Sequence, residues 1–101
     1  SAQSELKFIL MELIDQRKDD FVNFFNNAGP ITIRKHSLEL IPGIGKKHLK
    51  DLLEERDNGP FTDFANLKER CSFMGEPQKV IAERIITELG GEEDFRLFTK
   101  K

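Results

Sequence analysis

Leu40-Ile41-Pro42-Gly43-Ile44-Gly45-Lys46-Lys47 is the stretch from which the rest of the chain can be read. Pro42 fixes φ at about −65° and ends any helix that precedes it. Gly43 and Gly45 permit positive φ and carry no Cβ, so the backbone here can come close to an external group. A helix beginning at about Lys46 leaves its first N–H groups without internal partners. Their summed partial charge is roughly +0.5, which makes the loop a candidate anion cradle. Ile44 at the tip is expected to plug into the domain and hold the loop rigid. Lys46 and Lys50 are four apart and Lys47 and Lys50 three apart, so the three line one flank, while Leu49, Leu52 and Leu53 face inward.

Outward from this loop the periodicity is helical. Before it, Ser37 is placed to cap a short helix carrying Leu38, Leu40 and Ile41; after it, the helix runs to about Arg56 and closes at Asn58-Gly59-Pro60. Thr62 or Asp63 caps a third helix with Phe64, Leu67 and Cys71 inward. Residues 72–76 turn, and Pro77 suits the first position of a fourth helix with a stripe of Val80, Ile81, Ile85 and Leu89, ended by Gly90-Gly91. Two helix–hairpin–helix units thus recur about 30 residues apart. Towards the N-terminus, residues 4–18 predict an amphipathic helix with Ser4 as N-cap and Leu6, Ile9, Leu10, Leu13 and Ile14 on one face. Asp19-Asp20 look like a restart before Phe21, Phe24, Phe25 and Ala28, and whether residues 16–20 break or only bend one long helix stays open. Asn26-Asn27-Ala28-Gly29-Pro30 ends this region through left-handed Gly29 and Pro30. Ile31-Thr32-Ile33 reads as an extended connector, and residues 95–99 alternate like a strand whose Phe95 and Phe98 fold back onto the helices.

The expected fold is therefore all-α: residues 1–30 an amphipathic helical region packed on a core, and residues 31–101 a tandem pair of hairpins at 42–45 and 72–76, together one compact domain. With 101 residues there is room for no more than that. A 38% hydrophobic and 34% charged composition fits a globular rather than a disordered chain. No apolar run approaches the ~20 residues a bilayer span needs. The lone Cys71 excludes an internal disulfide framework and a clustered-thiolate zinc site, and a reducing cytoplasm is the expected setting. The chain opens Ser1-Ala2-Gln3 without Met, as a fragment or a tagged protein would.

A formal charge of −2 does not advertise a polyanion partner, but its distribution is uneven. Residues 34–50 hold Arg34, Lys35, Lys46, Lys47 and Lys50 against Glu39 alone, and Arg96, Lys100 and Lys101 cluster in the tail. Potential at a surface follows charges within roughly 8–10 Å, so a basic patch on an acidic body can hold phosphate locally. Residues 57–94 carry four basic and nine acidic groups. There the second hairpin, Cys71-Ser72-Phe73-Met74-Gly75-Glu76-Pro77, keeps one Gly and puts Glu76 where phosphate would sit, so this copy reads as structural.

The hydrophobic-Pro-Gly-hydrophobic-Gly pattern followed by Lys46 and Lys47 resembles the helix–hairpin–helix family. The resemblance implies that hairpin amides, those of Gly43, Gly45 and Lys46, contact backbone phosphates along a minor groove without reading bases. It also implies a possible monovalent cation at the carbonyls of Glu39, Ile41 and Ile44. The runs Asn27-Ala28-Gly29-Pro30-Ile31-Thr32, His36-Ser37-Leu38-Glu39-Leu40 and Leu97-Phe98-Thr99 are similar to an uncharacterised family of prokaryotic RNA-binding candidates, best represented in archaea. Its members place an oligonucleotide-binding-type barrel before a tandem helix–hairpin–helix half, which this chain would cover.

The functional expectation is non-sequence-specific RNA or DNA binding by Gly43, Ile44, Gly45, Lys46, Lys47 and Lys50, with Arg34, Lys35 and His48 beside them. The alternative is a protein–protein interaction or scaffolding module. No catalytic role, cofactor or resident metal is expected. His36 and His48 lack ligand-like spacing. Lys47 and Asp63 stand where base-excision glycosylases, by resemblance, carry a nucleophile and its partner carboxylate, but 101 residues leave no room for the base-accepting pocket that such chemistry needs. Phe21, Phe24, Phe25 and Phe64 fall on inward helical spacings and read as core, not as stacking platforms.

Overall fold

The computed structural model describes residues 2–91 and 95–99, and among them the fold is all-α. Helix α1 spans Ala2–Gln16 and α2 spans Lys18–Asn27. Between them Arg17 leaves helical geometry (φ −114°, ψ 34°), so the chain breaks rather than bends, and Asp19 and Asp20 occupy the first turn of α2 where a helix dipole favours acids. Ser4 sits inside α1, not at its cap, because the helix has already begun at Ala2.

Helix α2 ends with Ala28 N–H donating to the Phe24 carbonyl and with the Arg56 guanidinium donating to the carbonyls of Phe25 and Ala28, at 3.1 and 2.8 Å. Gly29 is not left-handed; the positive-φ glycines are Gly43, Gly59, Gly75 and Gly91. The segment after it is not extended either. Pro30 and His36 form an isolated antiparallel bridge, and residues 31–35 close a tight loop. A 3₁₀ helix, Ser37–Leu40, leads into the first hairpin. His36, not Ser37, caps it, its Nδ1 accepting from Leu38 N–H at 3.1 Å, while Ser37 Oγ donates to the Gly29 carbonyl at 2.8 Å. Burial pushes the His36 imidazole below its ordinary pKa, with help from Arg56, and the neutral ring can act as acceptor.

Helix α3 (Lys46–Asp57), α4 (Phe64–Arg70), a 3₁₀ turn (Ser72–Met74) and α5 (Pro77–Leu89) follow. Asp63 caps α4, its Oδ1 accepting from Asn66 N–H at 2.7 Å, and Pro77 opens α5. One apolar core unites the elements: Ile14 of α1, Val22 and Phe25 of α2, Leu38, Ile41 and Ile44 of the first hairpin, Leu52 of α3, and Phe64, Leu67, Met74 and Ile81 beyond. Phe61 is also buried, and its backbone pairs with the Asn26 amide in both directions (2.7 and 2.9 Å), a side chain standing in for a strand neighbour.

Three sequence expectations change here. Leu89 faces solvent, and so do Ile9 and Leu13, because α5 covers only part of the apolar arc of α1 and leaves them and Phe8 outside. Residues 95–99 form no strand, with bends at 97–99: the N–H groups of Leu97, Phe98 and Thr99 point at one acceptor, the carboxylate of Glu88. Phe98 does fold back as expected, with its ring 5.6 Å from Phe21 and 4.9 Å from Phe24. Lys100 and Lys101 of the basic tail, and the side chain of Ser4, lie outside the described residues. Among the described residues no helix is long and apolar enough to cross a membrane.

Candidate functional site

The first hairpin is held from below and open above. Leu38, Ile41 and Ile44 are buried, so the loop is pinned by side chains on both of its arms, and Ile44 plugs into the core as its position predicts. Ile44 N–H donates to the Ile41 carbonyl at 3.1 Å, which closes the turn and removes the Ile44 amide from the set available outside. It also engages one of the three carbonyls that the family resemblance offers to a cation. Gly43 has φ 86°, which an L side chain adopts only at a cost. A Cβ at Gly43 would meet nothing within 4 Å, so Gly43→Ala carries backbone strain alone. We expect it to cost about 1–2 kcal/mol, readable as a Tm lowered by ~5–10 °C.

Gly45 differs from the sequence expectation: its φ is −91° and ψ −172°, ordinary extended backbone. It stands at the N-cap of α3, a place usually filled by Ser, Thr, Asp or Asn, whose oxygens bond the first-turn amides. Here no side chain caps the helix. The Gly45 carbonyl accepts from Leu49 N–H at 2.8 Å, but the N–H groups of Gly43, Gly45, Lys46 and Lys47 find no acceptor among the described residues. Gly43, Gly45, Lys46 and Lys47 are all exposed.

The cations around this loop fall into two groups. Lys46 Nζ turns back to Glu39 Oε1 (3.1 Å) and to the Arg34 carbonyl (3.4 Å), and Lys35 Nζ approaches the same carboxylate at 3.9 Å. The hydrogen bond from Lys46 holds the Glu39 carboxyl below its ordinary pKa, so the acid stays ionised beside the hairpin. Lys47, Lys50 and the Arg34 side chain are exposed with no acidic partner among the described residues. His48, expected beside the hairpin's binding residues, is half-buried instead: its ring stacks on Phe73 of the second hairpin (4.5 Å, 5° between planes), and its Nδ1 is buried without a partner. It joins the two hairpins rather than facing the solvent side of the first.

The second hairpin repeats the shape with fewer open donors: from Gly75 to Gln78, only the N–H groups of Glu76 and Gln78 are without an acceptor among the described residues. Gly75 has φ 76°, matching Gly43, but its N–H donates to the Ser72 carbonyl at 3.2 Å, and Pro77 at the helix start has no N–H to offer. Glu76 is the N-cap residue of α5, and its carboxylate pairs with Lys68. Cys71 is buried, which together with Glu55 pushes its thiol up to about 11, so it stays protonated and inert. On this side Phe8, Met11, Glu12, Asp15, Glu76 and Gln78 line one open cleft.

Several basic residues are structural. Arg56 closes α2 as above, and Arg70 donates to Glu55 and to the carbonyls of Gly59 and Pro60, with its guanidinium 4.5 Å over the Phe61 ring. Asp63, the carboxylate weighed for catalysis, is committed to its cap. The sequence reading missed Glu39 as the partner of Lys46. An acid seven residues before a lysine across a two-glycine turn is a detectable signal only once the turn brings the two ends together.

A family model described as "Protein of unknown function (DUF655)" matches residues 1–100. An uncharacterized protein of Methanocaldococcus jannaschii is 40% identical over 102 residues, which cover 99% of this chain and 46% of that protein. A crystal structure from Archaeoglobus fulgidus, described by the same family, matches with a TM-score of 0.88 at 38% identity, over 96% of this chain and 54% of that one. The chain spans about half the length of these relatives.

Proposed function

The chain belongs to the DUF655 family of proteins of unknown function, and from its own site we propose a non-sequence-specific nucleic-acid-binding module of the helix–hairpin–helix type. The observation that carries this reading is the set of unpaired N–H groups on Gly43, Gly45, Lys46 and Lys47, at a helix start left without a capping side chain. A phosphate oxygen supplies the acceptor that a capping Ser or Asp would otherwise provide, and the helix dipole favours its charge. Lys47 and Lys50 add counterion release; Lys46 contributes by leaving Glu39, and Arg34 and Lys35 extend the positive rim. Contacts of this kind fix position and carry no base information. The second hairpin, with Gly75 N–H spent and Pro77 at the helix start, serves packing.

Both RNA and DNA present the phosphates this site would take. In a protein of the relatives' length, an oligonucleotide-binding-type domain in the other half would lengthen the contact. The buried, lone Cys71 fits the cytoplasmic setting we include in this reading, and the role proposed is binding without catalysis. Isolated affinity is expected near ~10⁻⁴–10⁻⁶ M at physiological salt.

The test is a titration of labelled duplex DNA, duplex RNA and single strands at several salt concentrations, with wild type and Lys47→Glu/Lys50→Glu. The variant is expected to bind more weakly at low salt and to lose roughly two units of the salt slope. Unchanged binding by the variant removes the hairpin from the mechanism. A second reading, docking of another protein, is favoured by Phe8, Ile9 and Leu13, which stand 49–69% exposed on α1. Absence of wild-type binding at low salt, with self-association or partner capture lost in Ile9→Lys/Leu13→Lys, would support it instead.

A further inference from the structure

Residues 30–36 form a loop whose construction exceeds what a connector needs. Ile31 and Thr32 N–H both donate to the Lys35 carbonyl, at 2.8 and 3.0 Å, and Lys35 N–H returns to the Thr32 carbonyl at 3.3 Å. Arg34 N–H donates to Thr32 Oγ1 at 3.2 Å, and the Pro30–His36 bridge closes the base. Such a loop has little freedom left to lose on binding. At its tip stands Ile33, the most exposed large apolar side chain among the described residues at 105% of its reference area. Single exposed apolar residues are common and need no explanation by themselves. This one is set apart by its neighbours. Arg34 and Lys35 follow it directly, and the Arg34 carbonyl accepts from Lys46 Nζ at 3.4 Å, tying the loop to the start of α3 and the unpaired amides. Lys35 shares Glu39 with the same Lys46.

We propose that Ile33 is an apolar wedge that enters a base step of a duplex where stacking is already weakened, while the hairpin amides hold the adjacent phosphates. This rests on the nucleic-acid reading above and gives it a substrate class: duplexes with a mismatch, bulge or flexible step rather than uniform helix. Apolar wedges, isoleucine among them, part neighbouring bases when a protein grips the minor groove, and the unstacking cost of a few kcal/mol is smallest at a defective step. A phosphate grip alone gives no such preference, because phosphates recur identically along the strand. The wedge and the grip are thus separate parts with separate signatures.

The experiment uses the full chain with two probes of equal length, a perfect duplex and one with a single-nucleotide bulge, each carrying 2-aminopurine beside the central step, prepared as DNA and as RNA. Wild type is expected to prefer the bulged probe by about tenfold, the equivalent of burying roughly two methylene groups, and to raise 2-aminopurine fluorescence as its neighbour unstacks. Ile33→Ala should bind the perfect duplex as wild type does, lose most of the preference and leave fluorescence unchanged; Ile33→Leu should restore both. The exposed position makes these substitutions neutral to folding, checked by equal Tm. Equal preference in wild type and Ile33→Ala overturns the wedge while leaving the grip standing. Failure of wild type to bind either probe at low salt overturns the grip and the wedge together.

Discussion

Gly45→Asp should make the protein more stable and the proposed nucleic-acid binding much weaker. The backbone at Gly45 (φ −91°, ψ −172°) already has N-cap geometry, and a Cβ there meets nothing within 4 Å. An aspartate carboxylate can therefore accept from the open first-turn amides and satisfy the dipole, worth about 0.5–1 kcal/mol and a Tm raised by ~2–6 °C. The same carboxylate occupies the place proposed for phosphate and repels it. Loss of amide contacts and added repulsion should weaken binding by roughly 30–100-fold at low salt, about 2–3 kcal/mol. Differential scanning and an anisotropy titration on one sample read both signs. A Gly45→Asp protein that binds duplex as wild type does shows that the amides are not the contact. Opposite movement of stability and affinity is the mark of a cap left vacant for an outside group.

Glu88→Gln should be the most damaging single substitution among the polar residues described. Glu88 is fully buried, and its carboxylate accepts from Arg84 Nε (2.9 Å), from the N–H groups of Leu97, Phe98 and Thr99 (2.8, 3.1 and 3.0 Å) and from Thr99 Oγ1 (3.0 Å). An amide in its place turns one acceptor oxygen into a donor facing donors and leaves the Arg84–Glu88 ion pair without its acid. Breaking such a pair costs about 3 kcal/mol or more, which for a domain of this size lowers Tm by ~10–20 °C. The pH dependence has a definite sign. Burial alone would raise the Glu88 pKa, but the three amides and Arg84 outweigh it and hold it below the ordinary value of 4.5. Its contribution is thus fully present above the unfolded value and lost as pH falls from there through the lowered folded value. Thermal melts of wild type should drop over that acid window, and the Glu88→Gln profile should show a shallower drop, the part that Glu39 still contributes. An equal acid slope in both proteins would remove Glu88 from the lock.

The helices were legible because their signals are local. Pro77 at a first helical position, Asp63 at a cap, Asn58-Gly59-Pro60 at a stop and the Asp19-Asp20 restart each act within one turn. The errors arise where a distant group decides. Ser37 gives up the cap because the Gly29 carbonyl takes its hydroxyl, leaving His36 to serve. Residues 95–99 look like a strand by alternation, yet a carboxylate nine to eleven positions upstream gathers their amides into a bend. Ile9 and Leu13 satisfy helical periodicity and still face out, since periodicity counts apolar residues and not how wide a neighbouring helix is. At the candidate site the left-handed Gly43, the helix start at Lys46 and the plugged Ile44 could be read from the sequence, while Gly45 proved extended. The engagement of Lys46 by Glu39 and the stacking of His48 on Phe73 required the fold, because both join parts that the turn and the second hairpin bring together.

Glu39 has one more effect, on how a partner is first met. With Lys46 and Lys35 drawn onto its carboxylate and the chain carrying a formal charge of −2, the resting protein casts little attractive field at long range. Beyond a Debye length of about 8 Å a polyanion is neither summoned nor oriented, so encounter proceeds at the unsteered rate. Only on arrival, when an oxygen of the proposed nucleic-acid partner competes for the ammonium groups, would the loop show its full positive charge. For the proposed binding, discrimination would thereby move from approach to touch, and a protein built this way would avoid coating every acidic polymer it passes.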